Sequence, residues 1–203
     1  MKALAREKWL LDPNVGHLNH GSFGACPWPV LEQQQRWREE LERRPVRFMV
    51  DVLEPELDRV RRELGARFGV EPEGVAFVPN ATTGAATVLG SLRLEPGDEI
   101  LVTNHGYVAC NNVVSRAAAA AGAQVVVADV PFPLSGPEVV EQALLERVSS
   151  RTRLVVVDHV TSATALVFPV QRIVSERERS RRGDVMPWLA TSGLISSRRS
   201  ART

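Results

Sequence analysis

Lysine is scarce in this chain: Lys2 and Lys8 are the only two, and every other cationic side chain is arginine. Any chemistry that needs a nucleophilic amine beyond residue 8 therefore has no side chain to supply it, because arginine stays protonated and non-nucleophilic. Cysteine is limited to Cys26 and Cys110. They stand far apart and outside any metal-ligand spacing, so no metal site and no disulfide framework is expected, and a reducing cytoplasm is the expected setting. Charge of one sign is missing too, with a formal net charge of +1, which gives no basic field for nucleic acid or an anionic membrane surface. Long apolar runs are absent: 117–121 and 154–157 fall far short of the roughly 20 residues that span a bilayer. The first eleven residues mix charged and apolar groups without an unbroken apolar stretch, so no secretory signal is expected. No Gly-x-Gly-x-x-Gly follows a strand-like run and no Gly-x-Ser-x-Gly elbow occurs, which removes the usual dinucleotide and serine-hydrolase readings.

What remains is ordinary globular material: 203 residues, 44% apolar and 24% charged, enough for one sizeable core. Residues 1–28 read as an N-terminal segment with an irregular loop rich in Gly, Pro, Asn and His. Pro29 suits the first turn of a helix, after which Val30, Leu31, Trp37 and Leu41 form an apolar stripe. Leu53, Leu57, Val60, Leu64 and Phe68 mark a second helix over 53–68. From residue 75 the pattern changes. Short β-branched runs predict strands at 75–78, 99–103, 124–128 and 154–157, alternating with helices at 83–92, 108–121 and 138–148. Such alternation, with nearly continuous apolar strands, predicts a three-layer α/β fold: a doubly wound, mostly parallel sheet covered on both faces. Ligands in such sheets bind beyond the carboxyl ends of the strands. A further helix begins after Pro169-Val170. Residues 175–203 then turn Arg- and Ser-rich, show no strand pattern, and are expected to be unstructured.

Four loops could carry chemistry. Asn80-Ala81-Thr82-Thr83-Gly84 opens a helix, where free amides and the positive end of the helix dipole attract phosphate; the plain alternative is that Asn80 or Thr82 caps the helix. Asn104-His105-Gly106-Tyr107 offers the chain's only tyrosine, whose ring could stack on a planar cofactor or simply pack above the sheet, with His105 a solvated loop residue. Asp158-His159-Val160-Thr161-Ser162 offers hydroxyls and an imidazole at a third strand end. His17 to Gly24, including Asn19 and His20, could meet a carboxylate or merely shape a turn.

Together and in this order, the loops resemble the class V aminotransferase family, particularly its isopenicillin N epimerase-like branch, over about residues 18–174. The segments that carry the resemblance are Leu18-Asn19-His20-Gly21-Ser22-Phe23-Gly24, Asn80-Ala81-Thr82-Thr83-Gly84, Leu94-Glu95-Pro96-Gly97-Asp98-Glu99-Ile100-Leu101, and Asp158-His159-Val160-Thr161-Ser162-Ala163-Thr164-Ala165 followed by Pro169-Val170. The resemblance implies a fold-type I enzyme holding pyridoxal 5'-phosphate, with 29–174 as a partial cofactor-binding major domain. Thr82, Thr83 and Gly84 would hold the phosphate, Tyr107 would stack on the ring, and Thr161 or Ser162 would approach the phenolic oxygen. Asn19 and His20 would face the carboxylate of an amino acid substrate, and the family usually forms homodimers.

The departure begins shortly after Pro169-Val170. The family places there a strand ending in an aspartate that pairs with the ring nitrogen, and later a lysine that bonds the cofactor covalently. Here the chain runs Arg182-Gly183-Asp184-Val185-Met186-Pro187-Trp188 instead, and the aspartate's role is not carried over to Asp184. No catalytic residue is assigned. The expectation is a C-terminally incomplete chain, inactive alone, with a tail read out of frame and a sheet that exposes an apolar edge and one uncovered face. The alternative is a non-catalytic cofactor-binding or interaction module.

Overall fold

The computed structural model describes residues 6–18, 20–21, 23–180 and 188–190, without the side chains of 176–180 and 188–190. The chain divides into two compact units, Met1–Ala76 and Phe77–Thr203.

The first unit is helical. After an antiparallel bridge between Trp9 and Pro27, α1 (Trp28–Arg43) starts with Pro29 in its first turn, where the missing amide costs nothing. A one-turn helix α2 (Pro45–Arg47) and a π-helical turn (Phe48–Val52) lead into α3 (Leu53–Phe68). Gly69 ends α3 at φ +68°, a left-handed conformation that glycine adopts without strain. Phe48 is buried and its ring meets Trp37 edge-on at 6.0 Å.

The second unit is a three-layer α/β sandwich. Its elements are α4 (Ala81–Ser91), β1 (Glu99–Thr103), α5 (Val108–Ala121), β2 (Gln124–Ala128), α6 (Pro137–Leu145), β3 (Thr152–Val157), α7 (Val170–Ser180) and β4 (Trp188–Ala190). The four strands are all parallel, in the order β2-β1-β3-β4. Alternation along the buried strands feeds two cores. Leu101, Val155 and Val157 meet Val140 and Leu144 of α6 and Ile173 of α7 on one face; Ile100, Val102, Leu154 and Val156 meet Leu89 of α4 and Val114 and Ala118 of α5 on the other. Right-handed crossovers explain this division: β1–α5–β2 steps one way along the sheet, while β2–α6–β3 and β3–α7–β4 step the other. The direction reverses between β1 and β3, the kind of switch point at whose carboxyl ends open α/β sheets form a ligand crevice.

At the sheet's opposite, amino edge, two buried carboxylates begin β1. Asp98 accepts from Arg153 at 2.9 Å and from the Glu95 amide at 2.8 Å; Glu99 accepts from Arg151 and from the Ser149 hydroxyl. The Glu95 amide and Arg153 hold Asp98 below the usual carboxylate range, and the Ser149 hydroxyl and Arg151 do the same for Glu99 against the opposing effect of burial.

Three sequence expectations change. Residues 75–78 form no strand; they are extended without a sheet partner among the described residues, and Phe77 and Val78 are exposed. Apolar β-branched composition makes a segment strand-prone, but a strand exists only where a neighbour supplies the ladder. Past residue 175, where no strand was expected, α7 continues to Ser180 and Trp188–Ala190 pairs with Val155–Val157 of β3. Three residues are too few to show periodicity in sequence; the edge of β3 selects them. Asp184 lies outside the described residues. Of the expected exposure, no face of the sheet is uncovered, since α4 and α5 lie on one side and α6 and α7 on the other; on the edge strand β2, Val125 and Val127, in register with Ile100 and Val102, are 36% and 47% exposed.

Candidate functional site

The site lies at the reversal point, where three of the predicted loops of the second unit converge. Asn80 is the N-cap of α4: its Oδ1 accepts from the Thr83 amide at 2.8 Å and from the Thr83 hydroxyl at 3.0 Å, while its carbonyl takes the Gly84 amide at 3.1 Å. The plain capping alternative is therefore what the structure contains. Thr83 is exposed and Gly84 half-buried, and no hydrogen bond is made by the Ala81 and Thr82 amides among the described residues. Thr82 counters the upward shift of the Cys110 thiol, and the two helices that carry them, α4 and α5, pack against each other.

The loop after β1 is held from two sides. The Asn104 side chain donates to the Val130 carbonyl at 3.0 Å and accepts the Val130 amide at 2.9 Å, fastening the loop to the end of β2. His105 is buried rather than solvated, a correction to its plain reading. Its Nε2 lies 2.9 Å from the Val130 carbonyl, which can only accept, so in the neutral ring Nδ1 accepts from the Thr164 hydroxyl at 3.0 Å. Phe168 packs edge-on against this imidazole at 6.2 Å. Gly106 leaves room for the Asn111 side chain, which would have to move for a Cβ that would lie 2.6 Å from it. Tyr107 then opens α5 with its ring 46% exposed, and its amide donates across to Asp158 Oδ2 at 2.9 Å.

Asp158 directly follows β3 and is 3% exposed. Behind it the chain makes a tight excursion, closed by the Val160–Val167 bridge and by the Thr161 amide on the Leu166 carbonyl. The Thr161 hydroxyl is internal to this loop: it accepts from the Leu166 amide at 2.8 Å and lies 2.8 Å from Thr164 Oγ1. Ser162, by contrast, is exposed. Ala165 sits at φ +52°, a left-handed backbone that a side chain resists. Cys110, buried in the first turn of α5, has its thiol pushed up by burial and further by the Asp158 carboxylate, with Thr82 opposing.

His20 belongs to the first unit. Its ring lies 4.6 Å from that of His17 and 5.1 Å from Trp9, and His17 Nε2 contacts the Phe23 carbonyl at 3.1 Å. Asn19 lies outside the described residues. The structure thus brings together Thr82, Tyr107 and the Asp158–Ser162 loop. Sequence reasoning missed that Asp158, Asn104 and His105 would be the residues binding these loops to one another. The only signal available was polar residues standing directly after apolar strands.

The sequence pattern described as Aminotransferase class-V matches residues 30–182. The chain belongs to the class V aminotransferase family. Among curated members it is 35% identical over 180 residues to an isopenicillin N epimerase from Amycolatopsis lactamdurans, covering 87% of this chain and 45% of that protein. It is 31% identical over 177 residues to a probable chloroplastic L-cysteine desulfhydrase from Arabidopsis thaliana, covering 80% of this chain and 37% of that one. This member of the family therefore spans less than half the length of these relatives. Among solved structures, the cystine C–S lyase C-DES in complex with its reaction product cysteine persulfide superimposes with a TM-score of 0.72 at 26% identity, covering 84% of this chain and 45% of that one. A K223A mutant of C-DES with glycine covalently linked to its pyridoxal-phosphate cofactor gives a TM-score of 0.73 at 24% identity over 90% of this chain and 47% of that one. The α/β fold with a parallel sheet is that of the fold-type I enzymes. No helix among the described residues is long and apolar enough to cross a membrane, and no group of three metal-ligating side chains occurs among them.

Proposed function

We propose that the crevice between β1 and β3 holds pyridoxal 5'-phosphate, and that the chain is part of a cytoplasmic enzyme of epimerase or aminotransferase type acting on an amino acid. The observation that carries this reading is the meeting of the Tyr107 and Asp158 loops at the point where the sheet reverses, with α4 packed against α5. The residues present fit the group. The Ala81 and Thr82 amides at the start of α4 suit a phosphate, with the exposed Thr83 hydroxyl able to join them once it turns from Asn80; Gly84 adds no side chain to crowd it, and the exposed Tyr107 ring suits a planar pyridine. Of the two hydroxyls proposed for the phenolic oxygen, Ser162 is the better placed, since Thr161 is committed within its own loop. Asn19 and His20 are proposed for the substrate carboxylate, in a homodimer.

Bound, the cofactor supplies an electron sink for carbanion chemistry on an amino acid. The chain's own contribution is to grip the phosphate and orient the ring. With no lysine beyond Lys8, the chain offers no amine near this crevice in sequence, and we propose binding without turnover by the chain alone. The same observation favours a second reading, a non-catalytic cofactor-binding or interaction module. Sulfur transfer through a protein thiol is disfavoured, because neither Cys26 nor Cys110 stands in a matching motif, and Cys110 is buried with its thiol pushed up by burial.

The test is equilibrium dialysis of the full chain against pyridoxal phosphate, with the absorption spectrum recorded. Retention with a free-aldehyde spectrum is expected, and Thr82→Ala with Thr83→Ala should weaken it about tenfold, the equivalent of roughly 1.4 kcal/mol. Absence of retention, or retention indifferent to both substitutions, overturns the cofactor reading. Turnover of an amino acid would overturn the inactivity reading.

A further inference from the structure

The cap of α5 is built in an unusual way. A helix that begins at the end of a strand is ordinarily capped by its own Ser, Thr, Asp or Asn. Here the cap position is Tyr107, whose side chain makes no capping bond. The acceptor comes instead from Asp158, 51 residues away just beyond the neighbouring strand, at 2.9 Å from the Tyr107 amide. Burying a carboxylate to that extent is costly unless it is paired, and an apolar residue with a local cap would serve stability as well. The arrangement makes sense if placement is what it achieves. Asp158 sits at the positive end of the α5 dipole, spans the reversal between β1 and β3, and its charge pushes the Cys110 thiol up, behind the larger effect of burial. Gly106 lets the loop fold closely over Asn111, so the Tyr107 backbone has one fixed anchor on each side.

We propose that Asp158 is a positioning residue of the crevice: by accepting the Tyr107 amide from just beyond the neighbouring strand, it fixes where the only tyrosine ring stands. This rests on the cofactor reading for its purpose but not for its geometry. In this role Asp158 acts through Tyr107.

The test uses the full chain with Asp158→Asn and Asp158→Ala, each in a Cys26→Ser background that leaves Cys110 as the one thiol. Two readouts need no cofactor. Amide hydrogen exchange at Tyr107 should accelerate about tenfold or more in Asp158→Ala and much less in Asp158→Asn, whose side-chain oxygen still accepts. The ultraviolet thiolate signal of Cys110 should titrate at lower pH in both variants, because the neighbouring negative charge is gone. The third readout is pyridoxal phosphate retention in a double-mutant cycle with Tyr107→Ala. Asp158→Ala should weaken retention about tenfold in the parent and have little further effect once Tyr107 is gone. Unchanged Tyr107 exchange, an unmoved Cys110 titration, or additive losses in the cycle would overturn the proposal. If the parent fails to retain the cofactor while the first two readouts behave as expected, the cofactor reading fails and the positioning geometry stands.

Discussion

The two units of the chain put similar helices to different use. In the first, α1 is sixteen residues long with an apolar stripe, yet none of its residues is buried, and α3 buries only Gly65. Exposed ion pairs decorate its surface, Arg59 with Glu56 and Glu63 and Arg61 with Asp58; such pairs contribute about 0.2–0.5 kcal/mol each. In the second unit, β1 and β3 are sealed between two helical layers, and each fully buried aliphatic or aromatic side chain there contributes about 1.5–3 kcal/mol. Amphipathic periodicity says which face of an element is apolar; it does not say whether anything covers that face. Depth comes from a second layer, and only the second unit has two.

The sharpest way to break this contrast is to hollow each unit in turn. Phe168, 1% exposed against the His105 ring, should cost about 3–5 kcal/mol when changed to Ala. Trp37→Ala in the first unit, where the indole is 36% exposed, should cost about 1 kcal/mol, mainly its contact with Phe48. Urea unfolding with residue-resolved hydrogen exchange separates the two units; equal losses would mean that the first is as deeply packed as the second.

Acid should divide them next. The folded pKa values of Asp98 and Glu99 lie below the ordinary 3.8 and 4.5, so their stabilisation is fully present at neutral pH. It begins to disappear as pH falls below those ordinary values and is lost as pH falls through the depressed ones. Urea midpoints measured from pH 7 down to pH 3 should therefore drop for the second unit, and Glu99→Gln should flatten that drop while lowering the midpoint at pH 7. A second unit as insensitive to acid as the first would contradict this. The smallest expected effect is a gain: Ala165→Gly removes a left-handed alanine and should stabilise the second unit by about 0.5–1 kcal/mol, read as a raised Tm.

Much of the second unit was legible in the sequence because its elements are long enough to show a period and are punctuated. β1, β2 and α5 fall on the predicted residues, and Gly122, at φ +67°, stops α5 where a glycine stop was expected. The carboxyl-edge loops were identifiable as loops for the same reason. What the sequence could not show was which polar groups they would turn inward. Thr161 and Ser162 are adjacent hydroxyls of equal promise on paper; the turn closed by Leu166 buries one and leaves the other exposed. His105 looked like a solvated residue because nothing local reveals that the Val130 carbonyl and Thr164, 25 and 59 residues away, would each reach it. Residues 75–78 and Trp188–Ala190 failed in opposite directions for one reason, since pairing is decided by a neighbouring strand rather than by composition.

The order β2-β1-β3-β4 also bears on how the crevice can come to exist as the chain folds. Contacts from the end of β1 to β2 close a loop of 25 residues, and those to β3 one of 51. Loop-closure entropy grows only with the logarithm of length, so that doubling adds about 0.6 kcal/mol. Reaching past β2 for the acid that caps α5 is therefore thermodynamically cheap. It delays the event more than it weakens it, and the parallel β1–α5–β2 crossover should be in place before the tyrosine finds its anchor.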